Sequence, residues 1–181
     1  MLTDVQKQKF VHQFHVMDGD KNGRLEWADF ERICQNIAST RGYKDGSPQY
    51  EALMGQYRYG WEQVKPFADG NGVTLEKWLQ HSDAILSTPG IYDTLVRPTA
   101  GMIFDTFDLD GDQKVTLPEW REFFRCYAID PSEADACFER YDFNGDGYVS
   151  RSELIDLVGQ FYLSSDPNAA GNLLFGRYQT A

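Results

Sequence analysis

The chain has 181 residues, 41% of them hydrophobic, with 12 Phe, 10 Tyr and 4 Trp to fill one or two cores. Its formal net charge of −11 argues against a phosphate backbone or an anionic bilayer as partner, so neither nucleic acid nor membrane is expected, and it suits a binder of cations. The start, MLTDVQKQKF, has no apolar signal core and no run nears the ~18 apolar residues of a membrane span, so a cytoplasmic, reducing location is expected.

Residues 3–17, TDVQKQKFVHQFHVM, put Phe10, Phe14 and Met17 on one helical face. They enter the segment 18–29, DGDKNGRLEWAD, which a second stripe leaves through Phe30, Ile33, Cys34 and Ile37. Helical flanks around QYRYGWEQV and LEKWLQHSDAIL enclose 66–77, PFADGNGVTLEK. Residues 88–98, TPGIYDTLVRP, hold two prolines and a glycine and predict a break rather than a continuous helix. Met102, Ile103, Phe104 and Phe107 lead into 108–119, DLDGDQKVTLPE, and Phe123, Phe124 and Tyr127 lead out. Ala134, Cys137, Phe138 and Tyr141 precede 142–153, DFNGDGYVSRSE; Leu154, Ile155, Val158, Phe161 and Tyr162 follow it. These stripes read as core, with Cys34, Cys126 and Cys137 as buried free thiols. His12, His15 and His81 read as helix-surface residues or satisfied core contacts. The end of the chain, NLLFGRY, is too apolar to hang free, so Leu173, Leu174 and Phe175 are expected to pack across the mouth of the interior.

The four acidic or glycine-rich segments are one repeated unit. Each has a branched or aliphatic residue at its eighth place: Leu25, Val73, Val115 and Val149. The first, third and fourth resemble the EF-hand calcium loop, which places oxygen ligands at positions 1, 3, 5, 7, 9 and 12. Carried onto the first, these are Asp18, Asp20, Asn22, the carbonyl of Arg24, Glu26 and Asp29. In the third they are Asp108, Asp110, Asp112, the carbonyl of Lys114, Thr116 and Glu119. In the fourth they are Asp142, Asn144, Asp146, the carbonyl of Tyr148, Ser150 and Glu153. Calcium wants 6–8 oxygens at ~2.3–2.6 Å, and alternate residues of a tightly wound loop can converge on one centre. Thr116 with Glu119 and Ser150 with Glu153 have capping-box spacing, and Pro118 lies early in its helix, where a missing N–H costs little.

The segment 66–77 keeps the shape and lacks the donors. Pro66, Ala68, Gly70 and Lys77 occupy ligand positions, and Lys77 sets an ammonium where a bidentate carboxylate is needed. Starting the register at Asp69 puts Val73 at position 5 and Gln80 at position 12, which is no better. EF-hands work in pairs, because one hand alone leaves backbone groups and an apolar helix face unpartnered. The silent loop is therefore expected to brace the first, with Val73 pairing with Leu25 and Val115 with Val149. The expected organisation is an N-terminal pair (1–87), a linker (88–98), a C-terminal pair (99–163) and a packed tail (164–181).

Four hands, a silent second loop, a broken linker and the tail FYLSSDPNAAGNLLFGRY resemble the sarcoplasmic calcium-binding proteins and their bacterial relatives of the calerythrin type. The resemblance covers essentially the whole chain. It implies an all-α fold: two hand pairs packed into one compact globule, with short β-bridges between paired loops. Three calcium sites are expected, with magnesium competing best at the first, where Asp29 is one methylene shorter than Glu. Gln113 stands at position 6 of the third loop, where positive φ favours Gly and a side chain costs ~1–2 kcal/mol.

The function expected is that of a monomeric calcium buffer, since Met1, Met17, Met54 and Met102 are scattered and form no Met-rich groove. Two alternatives stay open: a sensor that shows an apolar surface to a protein target, and a carrier that releases a small apolar ligand on binding calcium. An enzyme is not expected, because the chain shows no nucleophile–base pairing, phosphate-binding glycine loop or His-rich metal site. A light-emitting role is disfavoured, since the helix SELIDLVGQFYL carries neither His nor Trp.

Overall fold

The computed structural model describes residues 1–70 and 72–178. Residue 71 of the silent loop and residues 179–181 of the predicted tail therefore lie outside the described part.

Helix α1 (Asp4–Met17) starts on a capping box: Gln6 N–H donates to Thr3 Oγ1 (3.3 Å) and Thr3 N–H to Gln6 Oε1 (3.0 Å). After the first loop come strand β1 (Arg24–Leu25) and helix α2 (Trp27–Arg41), which ends on Gly42 at φ 67°. A left-handed residue there satisfies the last carbonyls of the helix, and glycine adopts it without strain. Helix α3 (Pro48–Val64) is capped by Ser47 and begins with proline, whose absent N–H is an orphan at that position anyway. Strand β2 (Val73–Thr74) and helix α4 (Leu75–Leu86) complete the first half.

The second half repeats the plan: α5 (Arg97–Phe107), β3 (Val115–Thr116), α6 (Leu117–Cys126), α7 (Glu133–Tyr141), β4 (Tyr148–Val149) and α8 (Arg151–Leu163). The capping boxes read from Thr116/Glu119 and Ser150/Glu153 are both formed. The bridges have the expected register: Leu25 opposite Val73, and Val115 opposite Val149, both antiparallel.

The linker departs from expectation. Only the stretch around Pro89 and Gly90 (φ 76°) interrupts the chain; Tyr92–Val96 form a π-turn that runs straight into α5. Pro98, the second residue of α5, does not break the helix; it directly follows the π-turn, itself an irregularity of the helical ladder.

The two halves share one core. Helix α2 packs on α3 and on α6, α1 lies against α4 and α8, and α5 against α8. Phe10, Phe14, Ile33, Phe104, Phe123 and Phe161 are all essentially inaccessible. The three cysteines are buried free thiols. After α8 the chain returns as a strap through a 3₁₀ turn at Ala170–Leu173. Gly171 lies so close to α8 that a Cβ would meet the Leu157 carbonyl oxygen at 2.2 Å. Leu174 and Phe175 are buried, and Tyr141 donates its hydroxyl to the Leu173 carbonyl. No described helix is long and apolar enough to cross a membrane.

Candidate metal centres

The first, third and fourth loops are built by one rule. Each side-chain oxygen at an odd position accepts the amide two residues on: Asp20 from Asn22 (3.0 Å), Asp110 from Asp112 (3.1 Å) and Asn144 from Asp146 (2.9 Å). One step later Asn22 accepts from Arg24 (2.8 Å), Asp112 from Lys114 (2.9 Å) and Asp146 from Tyr148 (3.3 Å). The first residue is tied to the sixth amide: Asp18 to Gly23 (2.9 Å), Asp108 to Gln113 (3.1 Å) and Asp142 to Gly147 (2.8 Å). These bonds wind the backbone so that alternate oxygens face inward.

The twelfth residue closes each loop. Asp29 accepts from the amides of Gly19 and Glu26, both at 2.9 Å. Glu119 accepts from Leu109 (2.7 Å) and Thr116 (2.8 Å), and Glu153 from Phe143 (3.1 Å) and Ser150 (2.8 Å). Thr116 Oγ1 and Ser150 Oγ, at position 9, each donate to that carboxylate at 2.7 Å. Arg24 and Tyr148 open strands β1 and β4, and Lys114 stands just before β3. Glu26 is the N-cap residue of α2.

In the first and third loops the carboxylates converge as a hard divalent cation requires. One carboxylate oxygen from each of Asp18, Asp20 and Asp29 lies within 4.8 Å of the others, and the same holds for Asp108, Asp110 and Asp112. Asp108 Oδ1 is buried and has no hydrogen-bond partner, the state of an oxygen awaiting an ion. At Asp29 burial pushes the carboxyl pKa up; the Glu26 and Gly19 amides oppose that, and the nearby Asp20 and Asp18 charges add to it. A cation among these groups would relieve both costs.

Gln113 has φ 69°, so the left-handed strain expected at position 6 is present. Its side chain partly offsets that strain, since Nε2 donates to Asp108 Oδ2 at 3.3 Å.

The segment 66–77 folds differently. Its turn closes on its own backbone, Asp69 N–H to Gly72 O at 3.3 Å, with Gly70 and Gly72 at φ 98° and 101°. Lys77 Nζ points to Gln80 Oε1 (3.1 Å), and Asp69 pairs with Arg24 of the first loop (2.6 Å).

Comparison with known proteins agrees with these features. A family model described as an EF-hand domain pair matches residues 99–159. Luciferin-binding protein of Renilla reniformis is 32% identical over 172 residues, spanning 93% of this chain and 92% of that protein. Calerythrin of Saccharopolyspora erythraea is 25% identical over 168 residues, covering 90% and 94%. The chain is an EF-hand calcium-binding protein, related over nearly its whole length to the luciferin-binding protein. A sarcoplasmic calcium-binding protein from amphioxus has the same fold, with a TM-score of 0.74 over 98% of this chain and 99% of that one at 21% identity.

This EF-hand protein also has a cavity of about 650 Å³, partly open to solvent, lined by residues of both halves. Phe10, Gln13, Trp78, His81, Tyr127 and Phe175 are among the residues that line it. His81 corrects the expectation of a satisfied or surface histidine. It is buried, stacked on Trp78 and edge-on to Phe67, and its Nδ1 has no partner. Burial pulls its pKa down to about 4. Gln13 Oε1 is likewise buried and unpaired. His15 is exposed, and His12 Nε2 lies 2.8 Å from the Phe175 carbonyl, holding the strap to α1. Lys9, next to Phe10 on α1, is fully buried and donates to the carbonyls of Gln160 (3.0 Å) and Ser164 (2.9 Å) at the end of α8. Burial lowers its pKa to about 8.

Proposed function

We propose that this protein binds three divalent ions, in the loops 18–29, 108–119 and 142–153, and buffers calcium. The observation that carries the reading is the threefold repetition of one oxygen ladder, set beside a fourth loop that lacks it. Asp18, Asp20, Asn22, the Arg24 carbonyl, Glu26 and Asp29 would hold the first ion. Asp108, Asp110, Asp112, the Lys114 carbonyl, Thr116 and Glu119 would hold the second. Asp142, Asn144, Asp146, the Tyr148 carbonyl, Ser150 and Glu153 would hold the third. Each ion brings two charges, so three would move the net charge from −11 to −5. Magnesium competes best at the first loop, where the shorter Asp29 favours fewer ligands.

Burial favours a buffer over a sensor. Apart from the cavity, the apolar side chains of both halves pack into one core, and the exposed large hydrophobics among the described residues are Met1, Tyr59, Phe143 and Leu163. A buffer barely opens when it binds. Calorimetric calcium titration, with and without millimolar magnesium, tests the stoichiometry; hydrophobic-dye binding tests the opening. A large calcium-dependent rise in dye fluorescence would replace the buffer with a sensor.

A second reading, the carrier of a small apolar ligand, is favoured by the cavity with its two unpaired polar atoms, which a guest could satisfy. The luciferin-binding relative is consistent with it. Extraction of the purified protein into organic solvent, followed by mass spectrometry, tests it. A clean extract together with an unchanged melting temperature on addition of apolar aromatic compounds would dismiss it.

A further inference from the structure

Helix α2 joins two of the loops. Its first turn carries Asp29, the closing residue of the first loop, and Glu26 is its N-cap. Its last residue, Arg41, donates from Nη1 to the carbonyl oxygen of Asp108, the opening residue of the third loop, at 2.9 Å. Fifteen helical residues make a rod of ~22 Å between those two points.

The contact is built rather than incidental. Arg41 Nε donates to Tyr43 Oη (3.2 Å), and its guanidinium lies 5.7 Å from the centre of the Tyr43 ring, which leaves Nη1 aimed at the third loop. Asp108 is the C-cap of α5, so a cation there also complements the negative end of that helix. Two further residues of α2 grip the far side of the third hand. Asn36 Nδ2 donates to the Cys126 carbonyl at the end of α6 (2.9 Å), and Thr40 Oγ1 meets Cys126 Sγ at 3.6 Å. One helix rooted in the first loop thus holds the third hand at its entrance and its exit.

We propose that Arg41 is a positioning residue through which occupancy of the first loop sets the calcium affinity of the third. The proposal rests on the reading that both loops bind calcium. When the first ion fixes Asp29 and Glu26, the start of α2 is fixed with them. The rod then fixes Arg41, and Arg41 holds the Asp108 backbone and with it the carboxylate that opens the third loop. By linkage the effect is reciprocal: calcium at the third loop tightens the first by the same factor.

The test is a double-mutant cycle on the full chain, with calcium as the probe. Asp18→Ala disables the first loop, Arg41→Met removes the contact, and third-loop occupancy is read from the amide resonance of Gln113. Asp18→Ala alone is expected to weaken the third site by about fivefold or more, within the usual range of such couplings. In the Arg41→Met background, Asp18→Ala should have no further effect. Arg41→Lys should restore part of the coupling, since it keeps the cation without the fork. Amide exchange at Leu109 in calcium-free protein should quicken in Arg41→Met, a readout independent of binding. Equal effects of Asp18→Ala in both backgrounds would overturn the proposal, as would a tighter third site in Arg41→Met, which would make Arg41 merely a competing charge. A Gln113 resonance that never responds to calcium would instead overturn the reading beneath it, and the coupling with it.

Discussion

Gly72 is where the silent loop touches the first, and changing it to alanine probes what that loop is for. Its φ is 101°, and a Cβ there would lie 2.9 Å from the Leu25 carbonyl oxygen and 2.8 Å from Glu26 Cγ. Positive φ costs an L side chain ~1–2 kcal/mol. Overlap with packed neighbours costs ~1–3 kcal/mol more. The strand of Leu25 cannot yield without displacing the Arg24 carbonyl and Glu26, the seventh and ninth positions of the first loop. At 1.4 kcal/mol per factor of ten, even ~2 kcal/mol taken from binding weakens the first site ~30-fold, although no ligand residue is substituted. Gly70→Ala is the control, because φ there is 98° but nothing lies within 4 Å of the added atom. Site-resolved NMR titration of calcium should show the first site weakened in Gly72→Ala, far less so in Gly70→Ala, and loops three and four unchanged in both. A folded Gly72→Ala protein with a first site of normal affinity would refute the bracing role.

Other perturbations give equally definite outcomes. Asp29→Glu should raise calcium affinity at the first loop severalfold while magnesium affinity stays or falls, measured by competition calorimetry. Gln113→Gly removes left-handed strain of ~1–2 kcal/mol but also the bond to Asp108, so the third site should tighten by less than tenfold; a weaker site would show that the side-chain bond outweighs the strain. Burial lowers the His81 pKa to about 4 from its usual 6.5. Between those values the unfolded chain takes up the extra proton, so the stability tied to neutral His81 is full above pH 6.5 and is lost as pH falls toward 4. His81→Phe should therefore show a smaller drop in Tm between pH 7 and pH 5 than the parent, both measured without calcium.

The oxygen ladders of the first, third and fourth loops were legible because their geometry is local. Alternate residues such as Asp108, Asp110 and Asp112 meet by the winding of one short turn, and Leu25 and Val73 could be paired from their shared eighth place. The linker was half legible. Pro89 and Gly90 do break the chain, but Pro98 was read as a second break, when it stands as the second residue of α5 without breaking it. Lys9 and Gln13 were invisible as interior groups. They flank Phe10 and Phe14 on α1, yet the burial of Lys9 depends on the end of α8, some 150 positions away, whose carbonyls accept its hydrogen bonds. The cavity and the unpaired nitrogen of His81 are properties of how six or more elements fail to fill space, which no periodicity records. Nothing local in the sequence marks Arg41, since its partner is a backbone oxygen 67 positions on.

The most direct test is a crystal structure grown in calcium, with the ions located by their anomalous scattering. Three peaks are predicted, enclosed by Asp18–Asp29, Asp108–Glu119 and Asp142–Glu153, and none beside Lys77. An ion at the loop of Lys77, or a vacant Asp142–Glu153 loop at saturating calcium, would contradict the assignment of three gripping loops and one brace.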